Sequence, residues 1–137
     1  MSRDIEEDAL LQVDFSKLDA ISGCVPVAVQ RCDTRDVVLL AYTNERAMRE
    51  AFRKKKLILW STSRGGLWEK GDSSGCRFEL VEAYVNCEQN SLLYLVRPAK
   101  ESAAPGICHT SNSTGKPRNC FYRRINLDSL ALENVDP

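Results

Sequence analysis

The stretch Val37-Val38-Leu39-Leu40-Ala41-Tyr42-Thr43-Asn44-Glu45-Arg46-Ala47-Met48-Arg49-Glu50-Ala51-Phe52-Arg53-Lys54-Lys55-Lys56-Leu57-Ile58-Leu59-Trp60 changes its hydrophobic period twice and sets the fold class. Its first six residues are apolar in succession, the pattern of a strand covered on both faces. Thr43 or Asn44 then offers a side-chain oxygen to the first turn of a helix. From there to about Lys56, the residues Ala47, Met48, Ala51 and Phe52 recur on one helical face. Lys54, Lys55 and Lys56 place cations at the end where the helix dipole favours them. Leu57-Ile58-Leu59-Trp60 returns to a strand.

Outward from this unit, Val25-Pro26-Val27-Ala28-Val29 is a second β-rich run, and the turn-like Asp33-Thr34-Arg35-Asp36 joins it to 37–42 as a hairpin. Residues 61–75 are Gly- and Ser-rich and too long for a simple turn, a composition that goes with function or disorder. Runs at 78–85 and 92–96 predict another hairpin around Glu88-Gln89-Asn90. Residues 99–106 are irregular, 120–125 predicts a last strand, and a short helix is expected from Asn126 onward. Residues 1–13 read as a short polar helix or frayed arm with Ile5, Ala9 and Leu10 as a thin apolar stripe. Five or six strands and one main helix predict an α+β domain, a small twisted and mostly antiparallel β-sheet. The expected organisation is a single domain over 1–137, with 1–13 as an arm and 126–137 as a tail.

The 137 residues include 19 basic and 19 acidic side chains, one histidine and six cysteines. Zero net charge argues against nucleic-acid or membrane-surface binding by bulk electrostatics, while leaving local basic pockets open. No run approaches the roughly 18 apolar residues that span a bilayer. The acidic start lacks the apolar core of a signal peptide, so a cytoplasmic location is expected. There, cysteines serve as buried thiols, metal ligands or reactive groups more often than as disulfides.

Cys87, Cys108 and Cys120 would, if brought together, form a three-thiolate zinc site with an open fourth position, the arrangement of catalytic zinc. Zinc in such a site acidifies a bound water. The spacing itself contains no tight Cys-x-x-Cys pair and is equally that of three incidental thiols. Cys24 and Cys32 lie among apolar neighbours and read as core, since free cysteine packs as a small hydrophobe; Cys76 is left unassigned. His109 directly follows Cys108 and is a candidate proton carrier. Within 60–75, glycines permit close backbone approach, hydroxyls and N–H groups suit phosphate oxygens, and Arg64 and Lys70 add positive charge. Trp60 or Trp68 could stack on a base. A solvated loop with two buried tryptophans fits the same composition.

Taken in order, Val37-x-Leu39-Leu40-Ala41-Tyr42-x-Asn44, Trp60-Ser61-x-Ser63-Arg64-x-x-Leu67-Trp68-x-Lys70-Gly71-x-x-Ser74-Gly75, Cys87, Cys108-His109-Thr110 and Cys120-Phe121-Tyr122-Arg123 resemble the phosphoribosyl-AMP cyclohydrolases of histidine biosynthesis over about residues 15–125. The resemblance implies a zinc hydrolase that adds water to the adenine ring of phosphoribosyl-AMP and opens the N1–C6 bond. It also implies an intertwined homodimer whose zinc is ligated by cysteines of both subunits, namely Cys87, Cys108 and Cys120. His109 would be the general acid/base. Trp60, Ser61, Ser63, Arg64, Trp68, Lys70, Ser74 and Gly75 would hold the nucleotide.

The departures gather at the ligand end of the site. The family surrounds its first zinc cysteine with aspartates that bind magnesium, as Asp-Cys-Asp-x-Asp, where this chain has Asn86-Cys87-Glu88-Gln89-Asn90. Magnesium favours carboxylate oxygens, so Asn86, Glu88 and Asn90 make a second-metal site that is expected to be severely weakened. Thr62 replaces an arginine, Cys76 replaces a polar residue, and the stretch between Cys108 and Cys120 is longer through a polar, flexible insertion at 111–117. Three functions follow from these residues: the cyclohydrolase, a paralogue acting on another heterocycle, and a non-catalytic nucleotide-binding module that keeps a structural zinc. A redox role for Cys76 or Cys32 has only the neighbouring Arg77 and Arg31 in its favour.

Overall fold

The computed structural model describes residues 6, 9–16, 23–70, 77–99 and 106–137. Strands β1 (Val25–Arg31) and β2 (Val37–Thr43) form the expected antiparallel hairpin, Val27 opposite Ala41 and Val29 opposite Leu39. Helix α1 (Glu45–Lys54) follows at once. Asn44 is its cap, with Oδ1 accepting from Ala47 N at 2.9 Å, a contact that stabilises by about 1 kcal/mol. Lys55 turns into the left-handed region at φ 56° and ends the helix.

Strands β3 (Ile58–Ser61) and β4 (Gly66–Glu69) make a separate short hairpin, so the segment expected to be one long loop from 61 is a paired ribbon up to Glu69. Strands β5 (Phe78–Val85) and β6 (Leu92–Pro98) pair antiparallel as expected. Strand β6 then runs parallel beside β1, Val27 against Leu92 and Arg31 against Val96, giving a four-stranded sheet in the order β2-β1-β6-β5. A last hairpin joins β7 (Arg123–Ile125) to β8 (Leu132–Asn134). This corrects two expectations. The strand expected over 120–125 begins at Arg123 rather than Cys120, and the tail beyond it holds a further strand rather than a helix. Asn126 Oδ1 accepts from Asp128 N and Ser129 N, and Leu130 sits at φ 63°, which closes a turn where a helix would have continued. The eight strands among the described residues exceed the five or six expected, and the class, α+β with one main helix, stands. Of the polar helix or frayed arm expected over 1–13, Glu6 is helical, residues 9–13 are not, and the other residues of 1–8 lie outside the described ones.

One face of the sheet is the core. Val25, Val27, Val29, Val38, Leu57, Leu59, Tyr94 and Val96 are fully buried there, with Met48 and Ala51 of α1 packed over them. The opposite face is open. Leu40, Ala28, Leu93 and Tyr84 stand in register across all four strands, with Leu40 55% and Tyr84 53% exposed, and Tyr42 is exposed beside them. The expectation that both faces of 37–42 are covered is therefore not met within one chain. Cys24 is core as expected. Cys32 is not, because it lies one residue past β1 in the exposed turn.

Candidate active site

Residues 106–110 and 117–118 pair with one another as an irregular ribbon, through Gly106 N to Pro117 O at 3.3 Å, Cys108 N to Arg118 O at 2.7 Å and Arg118 N to Thr110 O at 3.1 Å. At Gly106 the two sides touch, so that a Cβ would lie 2.2 Å from the backbone of Asn119, and only glycine fits. Two further bonds moor this ribbon to the edge of the sheet. Cys120 N donates to Val38 O at 3.0 Å, and Asn119 Nδ2 donates to Val37 O at 2.8 Å. Gly106 and Asn119 carry no reactive group, and no sequence signal beyond their closeness to the two cysteines marks them.

This backbone arrangement brings the Cys108 and Cys120 thiols close enough for each to shift the other's titration. Burial pushes the Cys108 thiol up, but hydrogen bonds from Thr110 Oγ1 at 3.1 Å and Thr110 N at 3.4 Å, with Cys120 and the Lys70 cation, outweigh it and leave it below the usual thiol range. Cys120 is held above that range, first by burial and then by its neighbour Cys108, against the pull of Lys70. Lys70 itself is lowered by burial, partly offset by the two sulfurs. Its backbone follows β4, with N donating to Leu57 O at 3.0 Å, and its Nζ lies 4.8 Å above the Trp68 ring. His109 is exposed, with Nδ1 4.0 Å from Cys108 Sγ.

The insertion at 111–117, read as flexible, is closed on itself. Asn112 Oδ1 accepts from Thr114 N, Thr114 Oγ1 and Lys116 N, and Asn112 N donates to Lys116 O. The segment at 136–137 clasps it from outside, through Asn112 Nδ2 to Asp136 Oδ1 at 3.1 Å and Arg118 Nε to Asp136 O at 2.8 Å.

Cys87 stands apart. It is exposed in the turn between β5 and β6, and no group of three or more His, Cys, Asp or Glu side chains able to hold a metal occurs among the described residues of the single chain. The chain therefore brings together two of the three expected ligands, and two adjacent soft sulfurs fit zinc. The turn does not fit magnesium. Asn86 Oδ1 accepts from Asn90 N and Ser91 N, Asn86 Nδ2 donates to Asn90 Oδ1 at 2.6 Å, and Asn90 Nδ2 reaches Glu88 Oε2. The amides satisfy one another and leave one carboxylate for a cation that prefers several. Gln89, unmarked in the sequence, is the buried residue of this turn. It sits at φ 53°, its Oε1 accepts from Gln12 N, its Nε2 donates to Leu10 O at 2.9 Å, and its carbonyl accepts from Asp14 N at 3.0 Å.

Of the expected nucleotide-binding set, Ser61, Ser63 and Arg64 cluster in the β3–β4 turn, where Ser61 Oγ accepts from Arg64 N and Nε and lies 3.3 Å from Ser63 Oγ. Trp60 and Trp68 are half-buried on the two strands of that hairpin, and Trp68 packs against the core. Lys70 is at its opposite end, four residues along the ribbon or roughly 13 Å away. Ser74, Gly75 and Cys76 lie outside the described residues. An apolar cleft of about 200 Å³, lined by Leu11, Phe52, Ala83, Tyr84, Val85 and Leu92, contains none of the predicted groups.

Residues 39–122 match the phosphoribosyl-AMP cyclohydrolase family. A phosphoribosyl-AMP cyclohydrolase of Rhodospirillum centenum is 36% identical over 90% of this chain and 86% of its own. The chain belongs to the phosphoribosyl-AMP cyclohydrolase family. Another cyclohydrolase, of Cenarchaeum symbiosum, is 38% identical over 87% of this chain and 98% of its own. The histidine biosynthesis bifunctional protein HisIE of Thermus thermophilus is 37% identical over 75% of this chain, which spans 44% of that protein. The family match ends at Tyr122, so the β7–β8 hairpin and the clasp at 136–137 lie beyond it. No helix among the described residues is long and apolar enough to cross a membrane.

Proposed function

We propose that this protein hydrolyses the adenine ring of phosphoribosyl-AMP at N1–C6 as a zinc-dependent homodimer in the cytoplasm, without need of magnesium. The observation that carries the reading is the meeting of Cys108 and Cys120 beside His109 and Lys70, in a chain 36–38% identical to named cyclohydrolases. Cys108 and Cys120 of one copy, with Cys87 of a second, would hold the zinc. When bound, zinc supplies an acidified water as nucleophile at neutral pH. His109, exposed and with Nδ1 4.0 Å from Cys108 Sγ, moves the proton that the ring nitrogen gains as the C–N bond opens. Lys70 keeps the pocket electropositive and holds Trp68 beneath it, and Ser61, Ser63 and Arg64 take a phosphate. Trp68, on the same face of its strand as Lys70, stacks on the base, whereas Trp60 lies on the opposite face of the hairpin, paired with Leu67.

A second copy answers two features at once. It covers the row Leu40, Ala28, Leu93 and Tyr84, apolar across a whole sheet face, and it supplies the cysteine that the single chain holds apart. Contiguous apolar patches of this kind mark interfaces.

The deciding experiment measures zinc content and follows the absorbance change of phosphoribosyl-AMP with and without magnesium. Near one zinc per chain and magnesium-independent turnover are expected. Turnover only with magnesium overturns the account of the Asn86–Asn90 turn. Tight nucleotide binding with zinc but no turnover establishes instead the non-catalytic reading, which the mutually satisfied amides of that turn favour.

A further inference from the structure

From Gly106 to Asn126 the chain has four basic side chains, Lys116, Arg118, Arg123 and Arg124, and no acidic one, although its net charge is zero. Of these, Arg124 is paired with Glu133 at 3.3 Å. The guanidinium carbons of Arg118 and Arg123 lie 4.5 and 5.2 Å from the centroid of one ring, that of Tyr122. They are therefore no more than about 10 Å apart, within a Debye length at moderate salt. Neither makes an ion pair among the described residues. Arg118 spends its Nε on Asp136 O, which orients the fork and leaves both Nη groups unused. Asp136 accepts from Asn112 at Oδ1, and its buried Oδ2 has no hydrogen-bond partner among the described residues and makes no ion pair with Arg118.

Two guanidiniums without an ion pair, both held on one aromatic ring, offer planar donor forks to an anion that comes within reach of them. The position is fixed relative to the reaction site, because Arg118 O receives Cys108 N and Tyr122 is two residues past Cys120. We infer that Arg118 and Arg123, braced on Tyr122, form a phosphate-monoester subsite beside the Cys108–Cys120 pair. The inference rests on the reading of the substrate as phosphoribosyl-AMP. That compound carries two phosphates, one on each ribose, and the Ser61–Ser63–Arg64 turn accounts for one of them. The arginine pair takes the other and so orients the ring from its second end.

The test uses the full chain and ribose 5-phosphate, inorganic phosphate and adenosine as probes, read residue by residue from amide and arginine Nε–H NMR shifts. Ribose 5-phosphate and inorganic phosphate are expected to move Arg118, Tyr122 and Arg123, with the sugar ester binding more tightly. Affinity at these residues should fall at least tenfold in Arg123→Ala and be largely kept in Arg123→Lys. With phosphoribosyl-AMP, Arg123→Ala should raise KM at least tenfold and change kcat less than threefold. Arg123 is exposed, and an unchanged thermal midpoint will show that the variant is folded. Equal shifts from adenosine mean that Tyr122 stacks on a base, and they overturn the subsite, as does unchanged phosphate affinity in Arg123→Ala. If no turnover of phosphoribosyl-AMP is found, the phosphate titrations decide the subsite alone and the failure belongs to the substrate.

Discussion

The turn that carries Cys87 and the ribbon that carries Cys108 and Cys120 are built by different physics. In the turn, side-chain amides close the chain. Asn86 bonds Asn90 and Ser91, and buried Gln89 ties in residues 10–14. In the ribbon, the backbone does the work through Gly106 lying against Asn119 and through paired strands moored to Val37 and Val38. The ribbon presents two sulfurs already together, while the turn presents one outward. On the proposed division of the site, change is expected to be tolerated on the turn, which side-chain amides close, and resisted on the ribbon, where no side chain can be added at Gly106.

The sharpest way to break this contrast is subunit mixing. Cys87→Ser and Cys108→Ser are each expected to lose at least 100-fold in turnover, since losing a ligand costs more than the 10–100-fold typical of its supporting partners. Mixed and re-equilibrated, the two variants should regain about a quarter of wild-type activity, because half the dimers then hold one intact site of two. No recovery places all three cysteines in one chain. Next in size, Gly106→Ala forces a Cβ into backbone at 2.2 Å and should cost about 3 kcal/mol, a fall of some 10 °C in thermal midpoint. A fall within 2 °C means that the ribbon is loose.

On the turn side the effects shrink. Gln89→Ala removes the side-chain bonds to Leu10 O and Gln12 N and should cost about 1–2 kcal/mol, with faster proteolysis within 9–16. Asn86→Asp combined with Asn90→Asp places two carboxylates beside Glu88, and magnesium should then stabilise the variant by about 1 kcal/mol and leave the wild type unmoved. The smallest effect lies away from both regions. Arg31, bonded to Asp33 at 2.7 Å, holds that carboxyl near a pKa of about 2. A depressed carboxylate stabilises the fold above its ordinary pKa and loses that contribution as pH falls from about 4 to 2. Asp33 is half-exposed, so the loss should stay below about 1 kcal/mol, read as the difference between wild type and Asp33→Asn in acid titrations.

What the sequence reveals depends on how local the cause is. The β1–β2 hairpin, the Asn44 cap and the β5–β6 hairpin follow from runs of a few residues and stand as expected. Cys32 misleads because its apolar neighbours belong to β1, while it falls one residue past the strand. Strand β7 falls within the run expected at 120–125, but β8 is missed because its residues are all exposed and show no period of two. Of the site, the cysteines, the histidine and Lys70 are visible as motifs. Gly106, Asn119 and Gln89 are not, since a close approach or a buried amide is defined by what lies far away in the chain.

The parallel pairing of β1 with β6 has a consequence for how the molecule is made. Residues 32–91 must all leave the ribosome before Leu92–Pro98 can add to β1, so the early β1–β2–α1 unit waits with an open apolar strand edge. Closing a loop of that length is slow relative to forming the flanking hairpins, which makes the arrival of β6 the commitment step of folding. Weakening the β1–β6 seam, for instance at Tyr94, should therefore lower the yield of soluble chain during synthesis more than it lowers the stability of chain already folded.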